Sequence, residues 1–505
     1  MTRSSSILDQ PITDTLSRWT YSVHDDDTAT VTGLSAGVIK LDGFTSIADE
    51  ELIALPNGSF ALAADITEDH VGAILLGTDS GLHIGSTVRR TRRRADIYVG
   101  EALKGRILDP LCRPLDGKTA IKTQQRYHLR RTAPAILQRG PVERPLETGI
   151  KAIDATIPIG RGQRELILGD RQTGKTSIAI DTILNQPDDV TCIYCAIGQR
   201  QSSITRIIDI LRNGGAMERT IIVVASGDDP PGLQYLAPYA ATSMAEYFMH
   251  QGRDALVVYD DLTCHARAYR ELALLLRRPP GREAYPGDIF YIHARLLERA
   301  TQLRQSEGGG SLTALPIVET QAENIAAYIP TNLISITDGQ IVFSKNLFER
   351  GALPAIDIGK SVSRVGGKTQ HPAYRSVSGD LKLHYAQYEE LEAFARFGTR
   401  IDDNTKARLE RGRRVRTILK QAEHAPQSPK QQIAALLAAT SGLFDPLPLS
   451  EIGAAEARIQ QSIEDADAWI ALEMNHTISS SLRETLVCEL SDRLEPITMP
   501  GRGDG

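Results

Sequence analysis

The sequence predicts a multidomain chain with an N-terminal small antiparallel β-barrel, a central α/β domain carrying a phosphate-binding loop, and a C-terminal α-helical bundle. Three observations carry that prediction. Short β-type runs separated by turn signals occupy residues 28–88, strand and helix patterns alternate through the middle of the chain, and beyond about His371 apolar residues recur at helical spacing. At 505 residues the chain exceeds what one hydrophobic core serves. The expected divisions are an N-terminal segment 1–27, a barrel 28–94, a phosphate-loop domain 95–370 and a helical domain 371–505.

The barrel is read from runs such as Gly37–Leu41 and Val71–Leu76, divided by Asp42-Gly43, Pro56-Asn57-Gly58 and Asp79-Ser80-Gly81. The basic run Arg89-Arg90-Thr91-Arg92-Arg93-Arg94 reads as a solvated linker face following the barrel, because no aromatic platform interleaves the charges. In the middle, Glu165–Leu168, Thr191–Ala196, Thr220–Ala225 and Ala255–Tyr259 read as buried parallel strands, each followed by helical sequence. Cys192 and Cys195 have CxxC spacing. Residues three apart on a strand face opposite sides, so they read as core cysteines and not as a metal or redox pair. Helices are expected over Leu381–Phe397, Asn404–Gln421, Lys430–Thr440 and Ile452–Leu472, the last from Ile452, Ala455, Ile459, Ile463, Ala466 and Ile470. The Arg502-Gly503-Asp504 tripeptide reads as part of a glycine-rich chain end.

Composition narrows the function class. The chain is 41% hydrophobic and 24% charged, as in ordinary soluble proteins. A net charge of -6, from 57 basic against 63 acidic residues, with only 5% aromatics, argues against nucleic acid as a partner. No apolar run approaches the ~18 residues of a membrane span. Met1–Ser6 lacks a signal-peptide core, so a cytosolic protein or one peripheral on a membrane assembly is expected.

The densest chemistry lies in Gly169-Asp170-Arg171-Gln172-Thr173-Gly174-Lys175-Thr176, between an apolar strand and a helix. The glycines let successive N–H groups turn inward onto phosphate oxygens, and the helix start adds its positive dipole end. Lys175 supplies a cation for the β- and γ-phosphates, and Thr176 a hydroxyl for Mg²⁺. Ala255–Asp261 has the form of a Walker B strand that delivers Asp260 to orient Mg²⁺ through water. A nucleoside triphosphate is the expected ligand.

From about Val31 to Ala438 the chain resembles the alpha subunit of the F-type ATP synthase. The resemblance rests on Glu147–Asp154, on Pro158–Leu166 running into the phosphate loop, on Arg277–Asp288, which looks like the loop that approaches the rotating shaft, and on Pro354–Arg364. It implies a RecA-like P-loop core that binds ATP or ADP with Mg²⁺. It also implies alternation with beta-type subunits in a hetero-hexamer, a gamma-type central shaft, a stator subunit at the N-terminus, and a peripheral position on the cytoplasmic face of the bacterial inner membrane.

Catalytic relatives carry a glutamate where this chain has Gln199, so the resemblance implies that the chain holds its own nucleotide and hydrolyses it poorly. It also implies that Arg364 acts in trans as an arginine finger in the neighbouring beta site, braced by Ser361. Such fingers contribute on the order of 10³–10⁵ in rate. Pro354 and Gln421 are carried over to the nucleotide site. Departures stand beside them: Leu353 replaces an arginine, Gln421-Ala422-Glu423 replaces Gln-x-Gln near the adenine, Thr263-Cys264-His265 replaces Ser-Lys-Gln, and the first ~25 residues diverge. The pattern is that of a divergent alpha subunit from a second ATPase complex. The alternatives are a Rho-like RNA-dependent helicase and a homohexameric export ATPase, both of which Gln199 disfavours.

Overall fold

The computed structural model describes residues 27–498 other than 122, 396–402, 464, 465, 473 and 475. The expected stator contact of the first residues and the Arg502-Gly503-Asp504 tail lie outside them. The chain divides into two compact units after Ala95.

The first unit is a closed six-stranded barrel. Its strands are β1 (Thr28–Ser35), β2 (Val38–Asp42), β3 (Glu51–Ala54), β4 (Phe60–Ile66), β5 (Val71–Leu75) and β6 (Thr87–Arg94), in the order β1-β2-β5-β4-β3-β6. All six pairings are antiparallel, and closure leaves no free edge. Inward residues such as Val31, Ile39, Leu41, Ile53, Ala61 and Ala73 fill the interior. The basic run is not a linker: it is β6, the strand that closes the barrel against both β1 and β3. A strand can carry arginines where its outer face meets water, while Val88 turns inward and is buried. Arg90 alone is committed inside, clasping buried Glu51 through Nε (3.0 Å) and Nη2 (2.8 Å). Burial pushes the Glu51 carboxyl up, but Arg90 and the N–H groups of Ala48 and Arg92 outweigh it and leave it lowered.

The second unit is built on an eight-stranded sheet: β7 (Ile107–Leu108), β8 (Glu165–Gly169), β9 (Thr191–Gln199), β10 (Thr220–Ser226), β11 (Asp254–Asp260), β12 (Ser311–Glu319), β13 (Gly339–Val342) and β14 (Val362–Ser363). The order is β14-β13-β8-β12-β11-β9-β10-β7, parallel throughout except for the antiparallel edge pair β13/β14. Every residue of β8 and β10 is buried, as expected of strands covered on both faces. Cys192 and Cys195 are free thiols buried in β9, and burial pushes both up, Cys192 to about 12. Flanking helices include α1 (Lys175–Leu184), α2 (Gln201–Asn213), α3 (Pro231–His250) and α4 (Leu262–Leu275).

The C-terminal region is helical: α5 (Pro372–Ala395), α6 (Asp403–Ile418), α7 (Pro429–Thr440), α8 (Ile452–Ser462) and α9 (Ser480–Thr498). Helix α7 starts where Ser428 and Gln431 form a capping box, with Pro429 at the first helical position. Helix α5 begins nine residues before the expected Leu381, because proline suits a first turn and the solvent-side Gly379 is tolerated within the helix. The expected helix Ile452–Leu472 is two pieces. Helix α8 ends at Ser462, and a short turn Asp467–Ile470 follows an extended Ala466, so that Trp469 enters the core while Ile470 stands 58% exposed. Helix α9 lies beyond the helices the sequence predicts; it packs Leu486, Leu490 and Leu494, spaced by one turn, into the same core.

Candidate functional site

Strand β8 delivers Gly169 to the carboxyl edge of the sheet, where an added Cβ would lie 2.6 Å from Phe343 Cβ. The chain then curls through Gln172 (φ 60°) and Gly174 (φ 98°) into α1. The loop is tied to itself and to its surroundings. Thr173 Oγ1 donates to the Asp170 carbonyl (2.8 Å), and the Asp170 carboxylate accepts from Thr320 Oγ1 (2.6 Å) and the Glu323 N–H (3.0 Å). Lys175 is only 6% exposed, and its Nζ donates to the Asp170 carbonyl at 2.6 Å. Burial lowers the Lys175 ammonium, while Glu319, Asp260, Asp261 and Asp170 oppose that effect. Arg171 extends outward and donates to Glu319 at 2.9 Å.

Three side chains converge on Asp260 at the end of β11. Thr176 Oγ1 donates at 2.8 Å and Tyr194 Oη at 2.6 Å to one carboxylate oxygen, and Gln199 Nε2 donates at 3.1 Å to the other. Burial raises the Asp260 carboxyl, against the Tyr194 and Thr176 hydroxyls and Lys175. Asp261 caps α4 by accepting from the Cys264 N–H (2.7 Å); burial and the adjacent Asp260 charge push it up to about 7. A hydroxyl and a carboxylate within hydrogen-bonding distance of each other are hard oxygen donors of the kind Mg²⁺ takes, so Thr176 and Asp260 fit that ion. Among the described residues no group of three or more His, Cys, Asp or Glu could hold a metal. A Mg²⁺ here would therefore draw its remaining ligands from water and phosphate.

An open cleft of about 410 Å³ extends from the loop past Ile150, Ser177, Phe343, Phe348, Leu353 and Pro354 to Gln421, Ala422 and Glu423. The Gln421 side chain lines it but is heavily committed. Its Nε2 donates to the carbonyls of Gly149 (2.7 Å) and Ala425 (2.8 Å), and its Oε1 accepts from the Lys151 N–H (3.1 Å). Glu423 accepts from Ser177 Oγ at 3.0 Å.

Arg364 stands elsewhere. It directly follows β14, whose Ser363 pairs with Gly339, which in turn pairs with Glu165. That register is at the opposite end of β8 from the phosphate loop. Its guanidinium is exposed and donates to the carbonyls of Thr337 (3.2 Å) and Ile334 (3.1 Å) at the end of helix Tyr328–Ile336. Ser361 is buried; its hydroxyl donates to the Asp357 carbonyl (2.6 Å) and accepts from the Val342 N–H (2.9 Å), which pins the segment leading to Arg364.

Two family models match the chain: residues 149–363 match the nucleotide-binding domain of the ATP synthase alpha/beta family, and residues 370–492 match the C-terminal domain of the ATP synthase alpha/beta chain. The chain belongs to the ATP synthase alpha/beta family. Relatives in this family include "ATP synthase subunit alpha 2" of Polaromonas naphthalenivorans, 56% identical over 96% of this chain and 94% of the relative. The protein of the same name from Syntrophus aciditrophicus is 60% identical over 87% and 85%. "ATP synthase subunit alpha 1" of Shewanella frigidimarina is 56% identical over 92% and 91%.

Against this family background the structure locates the departures. Leu353 is 39% exposed at the cleft rim. His265 is buried, stacks on Tyr235 and lies 3.3 Å (Nδ1 to Nε2) from buried His293. Desolvation lowers both imidazoles, His293 to about 4. Tyr194, Ser177 and Glu319 stand among the site residues although motif reading passed over them. Tyr194 is hidden inside an apolar strand and reaches Asp260 only across the sheet. Ser177 and Glu319 border motifs already recognised, at Lys175-Thr176 and at the end of a buried strand, and that position was the available signal.

No helix among the described residues is long and apolar enough to cross a membrane.

Proposed function

We propose that this chain is the regulatory, non-catalytic nucleotide-binding alpha subunit of a membrane-associated rotary F-type ATP synthase, and that it supplies Arg364 to the catalytic site of an adjacent beta subunit. The observation that carries this reading is the position of Arg364. The residue before it, Ser363, sits level with Glu165, whereas the chain's own loop starts at Gly169, four residues further along β8. At ~3.3 Å per residue that separation is roughly 13 Å along the strand, before the width of two intervening pairings. An exposed guanidinium so placed, resting on the Thr337 and Ile334 carbonyls, lies away from its own phosphate loop, which supports a role at another subunit's site.

At the chain's own site the residues have distinct tasks. Gly169, Asp170, Arg171, Gln172, Thr173 and Gly174 form the anion cradle, Lys175 neutralises phosphate charge, and Thr176 with Asp260 would hold Mg²⁺, which supplies charge neutralisation on bound phosphates. Gln199 donates to Asp260 and, being an amide, cannot accept a proton as a carboxylate does, which supports a site that retains ATP or ADP. Pro354 and Gln421 border the base. Partners are beta-type subunits, a gamma-type shaft and a stator subunit, with the complex peripheral on the cytoplasmic face of a bacterial inner membrane. The relatives numbered alpha 2 and alpha 1 support a chain from an organism with more than one such complex. The proposed domains are 28–94, 95–370 and 371–505.

Arg364→Lys tests the reading, because lysine keeps the charge and loses the planar fork that spans two phosphoryl oxygens. In a complex reconstituted with beta and gamma partners, ATP turnover per assembled hexamer should fall at least roughly a hundredfold, with nucleotide binding by the isolated chain unchanged. Near-normal turnover in well-assembled complexes refutes the assignment.

A further inference from the structure

Three consecutive residues where β8 begins, Gln163, Arg164 and Glu165, reach the segment that carries Arg364. Strand β14 is only two residues long and pairs with β13 at Val362 and Ser363, too short a ladder to fix the residue that follows it. Side chains supply the rest. Arg164 clasps the Asp338 carboxylate through Nε (2.9 Å) and Nη2 (2.7 Å), and the Asp338 carbonyl accepts the Arg364 N–H at 2.8 Å. Gln163 is fully buried; its Nε2 donates to Ser363 Oγ (3.1 Å) and to Glu165 Oε2 (2.7 Å), while its Oε1 accepts from the Gly160 N–H (2.8 Å). Ser363 Oγ in turn donates to the Pro158 carbonyl (2.9 Å) and accepts from the Gly366 N–H (3.2 Å), so bonds hold the chain on both sides of Arg364. Glu165 is also fully buried: Oε2 has Gln163, and Oε1 has no hydrogen-bond partner among the described residues. A carboxyl so placed is costly where an apolar side chain would pack more cheaply. Its surroundings are nonetheless shaped for it, since an added Cβ at Gly339, the residue paired with both Glu165 and Ser363, would lie 2.4 Å from Glu165 Oε2. Burial pushes this carboxyl well up and Asp338 adds to the effect, while the Gln163 bond and the Arg364 charge oppose it.

We infer that Glu165 and Gln163 are positioning residues for Arg364. The buried carboxyl holds the Gln163 amide in the orientation that reaches Ser363, and Ser363 thereby sets the backbone from which the guanidinium projects. The inference rests on the reading of Arg364 as a finger acting in trans. Neither residue touches the reacting atoms. The Gln163 amide has two hydrogens, one for each acceptor, and its oxygen is already engaged by Gly160. Removing the Glu165 acceptor leaves one of those hydrogens unpaired in a buried site and frees the amide to turn away from Ser363. A finger acts on the transition state, so a misplacement of about 1 Å can cost on the order of a hundredfold in rate while ground-state binding is kept.

The test uses complexes reconstituted with beta and gamma partners, with ATP turnover counted per assembled hexamer. Glu165→Leu and Ser363→Ala should each lower kcat at least roughly tenfold and keep KM within about twofold of wild type. Glu165→Gln, which keeps an oxygen for Gln163, should recover kcat to within about threefold of wild type. Each variant is then combined with Arg364→Lys. Because both act through the arginine, the double variants should turn over no more slowly than Arg364→Lys alone. Multiplicative losses in the doubles overturn the inference. So does a normal kcat in assembled Ser363→Ala hexamers, or a deficit confined to assembly yield with turnover per hexamer intact. Where Glu165→Leu does not assemble, Ser363→Ala and its double variant decide. Near-normal turnover of Arg364→Lys itself refutes the finger reading, and this inference with it.

Discussion

On the proposed reading the base lies at the Gln421–Glu423 end of the cleft, and that assignment has a quantitative test. Gln421 has both amide hydrogens donated to backbone carbonyls, and its oxygen already accepts one N–H. Glu423 has one oxygen on Ser177, and its other neighbours in the cleft include the apolar Leu353, Pro354, Phe343 and Phe348. The two polar side chains at the base edge therefore present acceptors and no free donor. Adenine requires a donor for its ring nitrogen as well as an acceptor for its amino group, whereas guanine presents two adjacent donors that a carboxylate can accept. The chain should bind ATP and GTP within roughly tenfold of each other, about 1.4 kcal/mol. Glu423→Gln adds a donor, a neutral hydrogen bond of about 1 kcal/mol for ATP, and removes a charge-assisted acceptor from GTP. The ATP-to-GTP affinity ratio should then rise on the order of tenfold. Calorimetric titration of the isolated chain and of E423Q with Mg-ATP and Mg-GTP measures it. A hundredfold ATP preference in wild type, or an unmoved ratio in the variant, refutes the acceptor-only account.

Two further predictions concern the loop and the histidine pair. Lys175→Ala should abolish Mg-ATP binding while leaving the melting midpoint without nucleotide within a few degrees of wild type, so that ATP raises the midpoint of wild type and not of the variant. His265 and His293 are held neutral by burial, so the unfolded chain binds protons near pH 6.5 that the folded chain refuses until about 4 in the case of His293. Their contribution to stability is complete above the unfolded value and declines as pH falls through that window. Asp154 and Asp261, raised to about 6 and about 7 by burial, act in the opposite direction. The readout is therefore the difference in urea midpoint between wild type and His265→Gln at pH 7 and pH 5, which should shift toward the variant on acidification; a difference independent of pH refutes the linkage.

Sequence made the architecture legible where one local signal dominates. Periods of two and of 3.6, glycine and asparagine turns, and the strand–loop–helix around Lys175 each specify their element without help from distant residues. It failed where tertiary context decides. Arg89–Arg94 carries too much charge to read as a strand, yet a closed barrel needs a sixth strand and can turn those side chains to water. Ile452–Leu472 keeps a helical period across a break, because Ile463 and Ala466 remain core residues on either side of it. In the candidate site, Thr176 and Asp260 were readable from motifs. Their partner Tyr194 was not, since the contact joins residues 66 apart across two strands.

The segment Gln421–His424 is held by two parts of the chain at once. Gln421 is fastened to Gly149 and Lys151 at the start of helix Lys151–Thr156, and the His424 N–H donates to Asp181 of α1 at 3.0 Å. The fully buried Lys151 ammonium in turn pairs with Glu456 of α8, which also accepts from Gln460. Burial lowers Lys151 and Glu456 opposes it, so the pair is costly to break once formed: leaving either charge alone in that setting costs about 3–5 kcal/mol. A displacement of the helical bundle must therefore carry Glu456, Lys151 and the Gln421–His424 segment together or lose that pair. The loop Gly169–Thr176 is instead anchored to β8, β12 and Thr320 within the sheet domain. The Gln421–His424 segment is also tied to α1, through His424 on Asp181 and Glu423 on Ser177, so a displacement of the bundle that carries it must break those bonds or draw on the helix into which the phosphate loop leads.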